Sequence, residues 1–475
     1  MAARPEGAAK AGVLMARARW RAVPTQQLAA ERADTGFDGA PAPEAFAVRR
    51  ELKRLTLDGV STVVQVTRPD APGRFPAFLF CHGAGTGNHT AFDEHCAALA
   101  RRGVVGVVPD KDLTAYSTLR RDYAHMARQY AELSGWARGQ DWLAPGRLGY
   151  YAESEGAWLA PWAAAESPAD FMALVSAPVV SPRRQSLYAI GTYLTSVDAP
   201  ASAFDAGVRV AGATMPLDWF EYVDFDCLPY LERLACPVFM AYGSADISMP
   251  VVEGASLVMG ATSGPVAVRY YARADHGLRR GEDRHVSSTF LSDLAAWTLC
   301  LENDPAPTPA VAGLPPVQPF AAAPPAPTGP VTRDAWLVLA ALAALAGAGV
   351  GARSEPARLR RPLALLRAGA VATLLAQAAY LGFLFRLAGS YRTAPRAVRL
   401  GHRLVRGTGL ATAIAGALTA WRGLRFTGPA GPASAGTASA ARTAAAGRTA
   451  STARVAAGLT GAAILARLAR RWGAF

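Results

Sequence analysis

The stretch RLGYYAESEGAW, residues 147–158, changes character at its midpoint. RLGYY (147–151) is an apolar run of strand length, and a helical pattern follows Gly156. Between them lies Ala152-Glu153-Ser154-Glu155-Gly156. A sharp turn from strand into helix lifts a serine hydroxyl above the edge of a sheet. The same turn crowds the positions two before and two after the serine, which must therefore be small. Ala152 and Gly156 meet that demand, the first with one methyl more than the usual glycine. A small-x-Ser-x-Gly match alone arises often by chance; the strand before it and the helix after it make it informative. Ser154 is the candidate nucleophile.

Outward from this turn, strand-length apolar runs alternate with helical stretches. LKRLTLDGVSTVVQVTRP (52–69) reads as two strands around Asp58-Gly59, a hairpin signal. PAFLF (76–80), VVGVV (104–108), FMALVS (171–176), PVFMAY (237–242) and VAVRYY (266–271) continue the series, with helices expected near 92–102 and over 117–136. Such alternation predicts an α/β fold with a mostly parallel sheet and helices on both faces.

Three further stretches carry chemistry. In FLFCHGAGTG (78–87) an apolar strand ends in His82-Gly83 and small residues, which lets backbone N–H groups face a cavity. In acyl transfer such groups hold the oxyanion together with the N–H of the residue after the nucleophile. The candidates are Ala84 or Gly83, with Glu155. A phosphate-binding glycine loop is the rival, but the lysine of a P-loop and the acid of a dinucleotide site are both missing. PVFMAYGSADISMP sets Asp246 just beyond one strand, and VRYYARADHGL sets His276 just past the next. Serine needs a base to take its proton; histidine titrates near neutrality, and a carboxylate on its far nitrogen fixes the tautomer and steadies the cation. Two alternatives stay open: Asp246 as the cap of a helix beginning near Val251, and Asp275 as the acid. His89, His95, His125, His285 and His402 show no partner pattern, and no spacing suggests a metal or a cofactor.

Residues 50–300 resemble the α/β-hydrolase superfamily, closest in texture to its dienelactone-hydrolase-like and prolyl-oligopeptidase-like members. GRLGYYAESEGAW is similar to their nucleophile block, YGSADISMP to the acid block and ADHG to the histidine block. The resemblance implies the fold, a Ser154–His276–Asp246 triad and the oxyanion loop. It implies no substrate, since one fold hosts esterases, thioesterases, peptidases, acyltransferases and dehalogenases.

The expected organisation is a loose lead-in over 1–45, a catalytic domain over 46–302 and a Pro/Ala-rich linker over 303–332. A helical membrane region over 333–426 and an Ala/Thr/Arg-rich tail over 427–475 complete it. Within the catalytic domain an aromatic-rich insert (about 177–235, with Tyr188, Tyr193, Trp219, Phe220, Tyr222, Phe225 and Tyr230) reads as a small cap over a substrate pocket; a helical connection packed on the sheet is the alternative. The linker reading rests on ten prolines between 304 and 330 and on the absence of charge between Asp304 and Arg333.

Charge separates the two ends of the chain. The net +13 comprises +18 over 331–475, where 20 Arg face only Asp334 and Glu355, and −5 over the rest. These arginines flank uncharged runs at 335–352, 368–385 and 407–421 instead of studding an aromatic strand, so lipid headgroups suit them and nucleic acid does not. The runs are candidate spans at the short end of what crosses a bilayer. The Arg-rich segments 353–367 and 386–406 fall at opposite ends of the second run and give no single orientation. Five scattered cysteines read as ordinary thiols. The apolar AGVLMA near the N-terminus is too short for a secretory core, so the catalytic domain is expected on the cytoplasmic side of the cell membrane. The expected activity is a membrane-tethered serine hydrolase cleaving a carboxylic ester or thioester. Its expected partners are a small acyl substrate and a lipid bilayer. A prolyl-oligopeptidase-type peptidase and a non-catalytic binding or sensory module remain open.

Overall fold

The computed structural model describes residues 43–114, 116–117, 121–197, 199, 221–301, 310–319, 321–322, 357–390 and 394–424. The lead-in up to residue 42, Trp219, Phe220, the run at 335–352 and the tail from 427 lie outside them. The chain divides into two compact units, Met1–Ala189 with Leu217–Pro324, and Ile190–Pro216 with Pro325–Phe475.

In the first unit, β1 (Val48–Leu57) and β2 (Val60–Pro69) pair antiparallel along their whole length, from Val48↔Pro69 to Leu57↔Val60. Asp58 and Gly59 close the hairpin with φ of 44° and 80°. A two-residue turn whose twist matches that of the strands needs positive φ at both positions, which Asp-Gly supplies. There follow β3 (Phe75–Cys81), α1 (Asp93–Arg101), β4 (Val105–Pro109), α2 (Tyr123–Arg138), β5 (Leu143–Glu153) and α3 (Gly156–Glu166). Next come β6 (Phe171–Val175), α4 (Pro182–Ser196, of which the part from Ile190 on belongs to the second unit), α5 (Leu228–Leu231), β7 (Val238–Gly243), α6 (Val251–Ala261) and β8 (Val266–Tyr271). The short ribbon β9 (Arg279–Arg280) and β10 (His285–Val286), α7 (Ser288–Cys300) and β11 (Val311–Ala312) complete the unit. Helix α2 begins later than its sequence pattern suggests, because the Asp122 side chain accepts the His125 N–H at 3.0 Å and caps it there.

The nine-stranded sheet runs β1-β2-β4-β3-β5-β6-β7-β8-β11 and is parallel from β4 to β11. Its pleat sorts successive side chains to opposite faces. Ala77, Leu79, Cys81, Tyr150 and Met240 join one core with Tyr123 and Leu133 of α2, Leu159 of α3 and Val258 of α6. Phe78, Phe80, Tyr151 and Phe239 join the other with Leu99 of α1 and Phe290 of α7. The central strands are thus apolar on both faces, as a sheet covered on both sides requires. Each fully buried Phe or Leu contributes about 1.5–3 kcal/mol.

Two expectations change. Part of the segment read as linker belongs to the sheet: Val311 and Ala312 pair parallel with Val268 and Arg269, and Val268 N–H donates to Ala310 O. Farther on, the Gln318 side-chain oxygen accepts from Val252 and Glu253 N–H, and Ala322 N–H donates to the Glu253 carboxylate. Proline lacks a donor, yet the residues between prolines keep theirs and can still extend an edge. Three aromatic residues of the insert pack on helices. Phe225 and Tyr230 stack on Trp162 of α3 at 5.5 and 5.3 Å, and Tyr222 stacks on Tyr123 at 5.2 Å. These three serve as packing against the sheet's helical layer.

In the second unit, α8 (Ala357–Ser390) and α9 (Pro395–Leu424) form an antiparallel hairpin covering the runs at 368–385 and 407–421. Thr373 and Thr412 share a hydroxyl hydrogen bond at 2.9 Å, and Tyr380 donates to Val398 O at 3.1 Å. Leu365, Leu375, Leu404, Leu410, Ile414 and Trp421 are exposed. Within α8, Ala364–Leu384 is long and apolar enough to cross a membrane, with a mean hydropathy of 1.4.

Candidate active site

Three loops leaving the carboxyl ends of β5, β7 and β8 bring Ser154, Asp246 and His276 together, as open parallel sheets bring ligands to that edge. Ser154 stands between β5 and α3 with φ of 84°, a conformation that costs a residue with a Cβ on the order of 1–3 kcal/mol. Its N–H donates to Val175 O at 3.0 Å, and its carbonyl accepts from Ala157 N at 3.2 Å as the helix begins. A Cβ at Gly156 would lie 2.5 Å from the Cys81 carbonyl oxygen, so only glycine lets the turn sit against β3. Ala152 is fully buried and its methyl is accommodated within the core.

His276 Nε2 is 3.0 Å from Ser154 Oγ, and its Nδ1 is 2.8 Å from Asp246 Oδ2. The other Asp246 oxygen accepts from the N–H and hydroxyl of Ser248 at 2.8 and 2.6 Å. Burial alone would raise the Asp246 carboxyl, but the charge and hydrogen bond of His276 and the two bonds from Ser248 outweigh it and hold it below the usual aspartate value. For His276, burial opposes the charged form, yet the Asp246 carboxylate, helped by Glu153 and Asp275, prevails and pushes the imidazole up to about 9. The Ser176 hydroxyl at the end of β6 donates to His276 O at 2.6 Å and anchors the histidine loop. Asp275, the alternative acid, is used otherwise: Oδ1 accepts from Gly277 and Arg279 N–H, and Oδ2 pairs with Arg284. It shapes the turn. Asp246 likewise makes no cap on α6, whose N-cap position is Pro250.

The loop expected to carry oxyanion donors approaches Ser154. A Cβ on Gly83 would lie 3.3 Å from Ser154 Cβ, which puts the β3 loop beside the nucleophile. His82 is occupied elsewhere: its backbone N–H donates to Tyr130 Oη, and its ring nitrogen Nε2 is 2.6 Å from Pro109 O. Burial pushes that imidazole down to about 4, so it stays neutral. Among the described residues, no acceptor lies on the backbone N–H of Gly83, Ala84 or Glu155.

The sequence reading passed over a buried cluster next to the serine. The Glu155 carboxylate receives Lys111 Nζ at 2.9 Å, Tyr116 Oη at 2.7 Å, an Arg121 nitrogen at 2.7 Å and Tyr123 Oη at 3.0 Å. Burial would raise this carboxyl, but the Lys111 and Arg121 charges and the bonds from Tyr116 and Lys111 hold it below the ordinary glutamate value. Lys111 and Tyr116 come from the irregular segment after β4, and Arg121 and Tyr123 from the stretch expected to be helical, where nothing in the pattern marks them as partners of a carboxylate. Glu153, on the other side of the serine, is buried, and burial raises its carboxyl. The remaining histidines have structural partners: His89 pairs with Asp110, His125 bridges Asp58 and Asp112, and His95 packs among Phe92, Tyr151 and Phe290. His285 lies at the surface near Glu94, and His402 is buried beside Tyr380.

No family model matches this chain, and neither does any curated protein sequence. Among solved structures, a Klebsiella pneumoniae protein assigned, not demonstrated, to be a dienelactone hydrolase is similar at 16% identity. That match covers 53% of this chain and 99% of the other, with a TM-score of 0.39. An esterase from Pyrobaculum calidifontis is 19% identical over 62% of this chain and 94% of its own, with a TM-score of 0.38. An esterase from Thermogutta terrifontis is 17% identical over 58% of this chain and 98% of its own, with a TM-score of 0.39. At these values the overlap assigns no activity or substrate to the chain.

Proposed function

We propose that this protein is a serine hydrolase of the α/β-hydrolase type that cleaves a small carboxylic ester or thioester. The reading rests on one observation, the Ser154–His276–Asp246 chain with contacts of 3.0 and 2.8 Å at the carboxyl edge of a parallel sheet. Asp246 accepts from Nδ1–H of His276, which leaves the Nε2 lone pair facing the serine hydroxyl. As Ser154 Oγ bonds to the substrate carbonyl carbon, its proton passes to Nε2. The carbonyl oxygen becomes an anion facing the N–H groups of Ala84 or Gly83 and of Glu155. Collapse of this intermediate breaks the bond to the leaving alcohol or thiol, which departs with the Nε2 proton. Water then repeats the sequence on the acyl-enzyme, releasing the acid and regenerating the serine.

The protein is further proposed to be membrane-tethered through its second unit. Support comes from the α8–α9 hairpin, where Thr373 and Thr412 bond to each other between the helices and Leu365, Leu375, Leu404, Leu410 and Ile414 are exposed on the outside.

A fluorophosphonate probe tests the enzymatic reading. It should label the full-length wild type on the peptide carrying Ser154 and should not label Ser154→Ala. A wild type that stays unlabelled, or label retained in the variant, rejects the assignment.

A further inference from the structure

The Glu155 cluster does more than satisfy a buried charge. Lys111, just past the end of β4, has a side chain 2% exposed, and its ammonium makes two directed bonds, to Glu155 Oε2 at 2.9 Å and to Gly83 O at 3.1 Å. Gly83 C=O and Ala84 N–H belong to one planar trans peptide unit, in which the two groups point in opposite directions. A cation seated on the carbonyl therefore fixes where the Ala84 N–H points. The other end of the bridge reaches the side chain of the residue that supplies the second candidate donor, Glu155. That carboxylate is clamped by Tyr116, Arg121 and Tyr123 as well, which keeps its own backbone from swinging. A further tie joins the same two segments, since Lys111 N–H donates to Gly87 O at 3.0 Å.

Building on the hydrolase reading above, we propose that Lys111 is the positioning residue of the oxyanion hole, holding both donor peptides through one ammonium group. Two effects follow from that placement. Donation from a cation to the Gly83 carbonyl polarises the peptide and makes Ala84 N–H a stronger donor, as hydrogen bonds in series reinforce one another. The cluster also sets the Lys111 and Arg121 cations on the Glu155 carboxylate, so positive charge stands close to where negative charge develops. Neither effect needs Lys111 to touch the substrate. The competing account is plain neutralisation, in which Lys111 is present only because Glu155 is buried and ionised.

The two accounts separate in the full-length protein, assayed with p-nitrophenyl butyrate and with a trifluoromethyl ketone as a tetrahedral-intermediate analogue. For Lys111→Met the expected result is a loss in kcat on the order of 10–10²-fold, below the roughly 10²–10³-fold of deleting an oxyanion donor outright, because the donors stay and only their positioning is lost. KM should stay within about two-fold, and affinity for the ketone should fall by the same factor as kcat/KM. The double variant Lys111→Met/Glu155→Gln removes the uncompensated carboxylate, and so carries the comparison even if the single variant fails to fold. Its kcat should stay as low as that of Lys111→Met. Recovery of wild-type kcat in the double variant, or a Lys111→Met defect confined to KM, overturns the proposal in favour of neutralisation. Fluorophosphonate labelling of the wild type keeps the two layers apart. A labelled wild type with an undisturbed Lys111→Met refutes only the role of Lys111, whereas an unlabelled wild type refutes the hydrolase reading beneath it.

Discussion

Ser154 Oγ and His276 Nε2 stand 3.0 Å apart across 122 positions of sequence, and the serine reaches that point only by holding φ at 84°. The strain is local to the turn and is maintained by its surroundings: the Ser154 N–H bond to Val175 and the contact of Gly156 with β3. A residue that carries both the reactive oxygen and an unfavourable backbone makes its two contributions separable by substitution.

Ser154→Ala and Ser154→Gly should both lower hydrolysis of a p-nitrophenyl ester by on the order of 10⁴-fold or more. Their stabilities should differ. Glycine adopts positive φ without the Cβ conflict, so the glycine variant should be more stable than the alanine variant by about 1 kcal/mol. Differential scanning calorimetry should show it melting roughly 2–4 °C higher. Equal melting temperatures would remove the strain from the argument.

Activity should rise with pH through the His276 ionisation. The base form exists only above that pKa, and the imidazole is pushed from 6.5 up to about 9 by the Asp246 carboxylate against its burial. With 31% of the His276 side chain exposed, water weakens the pair, so the midpoint of kcat/KM is expected between these two values. Asp246→Asn should move it down towards 6.5 and reduce kcat by about 10⁴-fold. The stability sign runs with the raised pKa: the ion pair stabilises the folded state fully below 6.5 and is lost as pH rises through about 9. A pH–rate profile whose midpoint is the same in wild type and Asp246→Asn contradicts the pairing.

Gly156→Ala should destabilise the first unit by about 1–3 kcal/mol and abolish labelling of Ser154, because the new methyl would press on the Cys81 carbonyl. Gly85→Ala serves as the comparison, since nothing lies within 4 Å of a Cβ there. Urea denaturation distinguishes them, and equal midpoints would mean the elbow has slack that the structure does not show.

The full chain should remain with bacterial membranes after an alkaline carbonate wash. Leu375→Arg, at an exposed position within Ala364–Leu384, places a charge costing about 2.5–3.5 kcal/mol at the centre of a span and should shift protein to the supernatant. Wild-type protein released by the wash would count against the tether.

Much of the sheet was legible because its signals are local. Asp58-Gly59 between two alternating runs specifies a turn, and the apolar strands at 76–80, 104–108, 171–176, 237–242 and 266–271 need no distant partner to be recognised. Ser154, Asp246 and His276 stand out for the same reason, each just beyond such a run, although their roles await the experiments above. Lys111, Tyr116, Arg121 and Tyr123 were not legible. They lie 32 to 44 positions from Glu155, and only the folded chain turns them towards one carboxylate. Ser176 and Ser248 were missed likewise, since a serine that orients a histidine loop or a carboxylate looks like any other serine. The edge strand at Val311–Ala312 was hidden by its prolines, which dominate composition while leaving two residues free to pair.

The bare Cα of Gly156 against the Cys81 carbonyl has a mechanical meaning. Backbone meets backbone there, with no compressible side chain in between, so the serine turn is braced directly against the end of β3. Under the hydrolase reading proposed above, such a junction would not mould itself around a bulky acyl group near the reacting carbon, and tolerance for different substrates would reside farther out, in the side chains that meet the ends of the molecule.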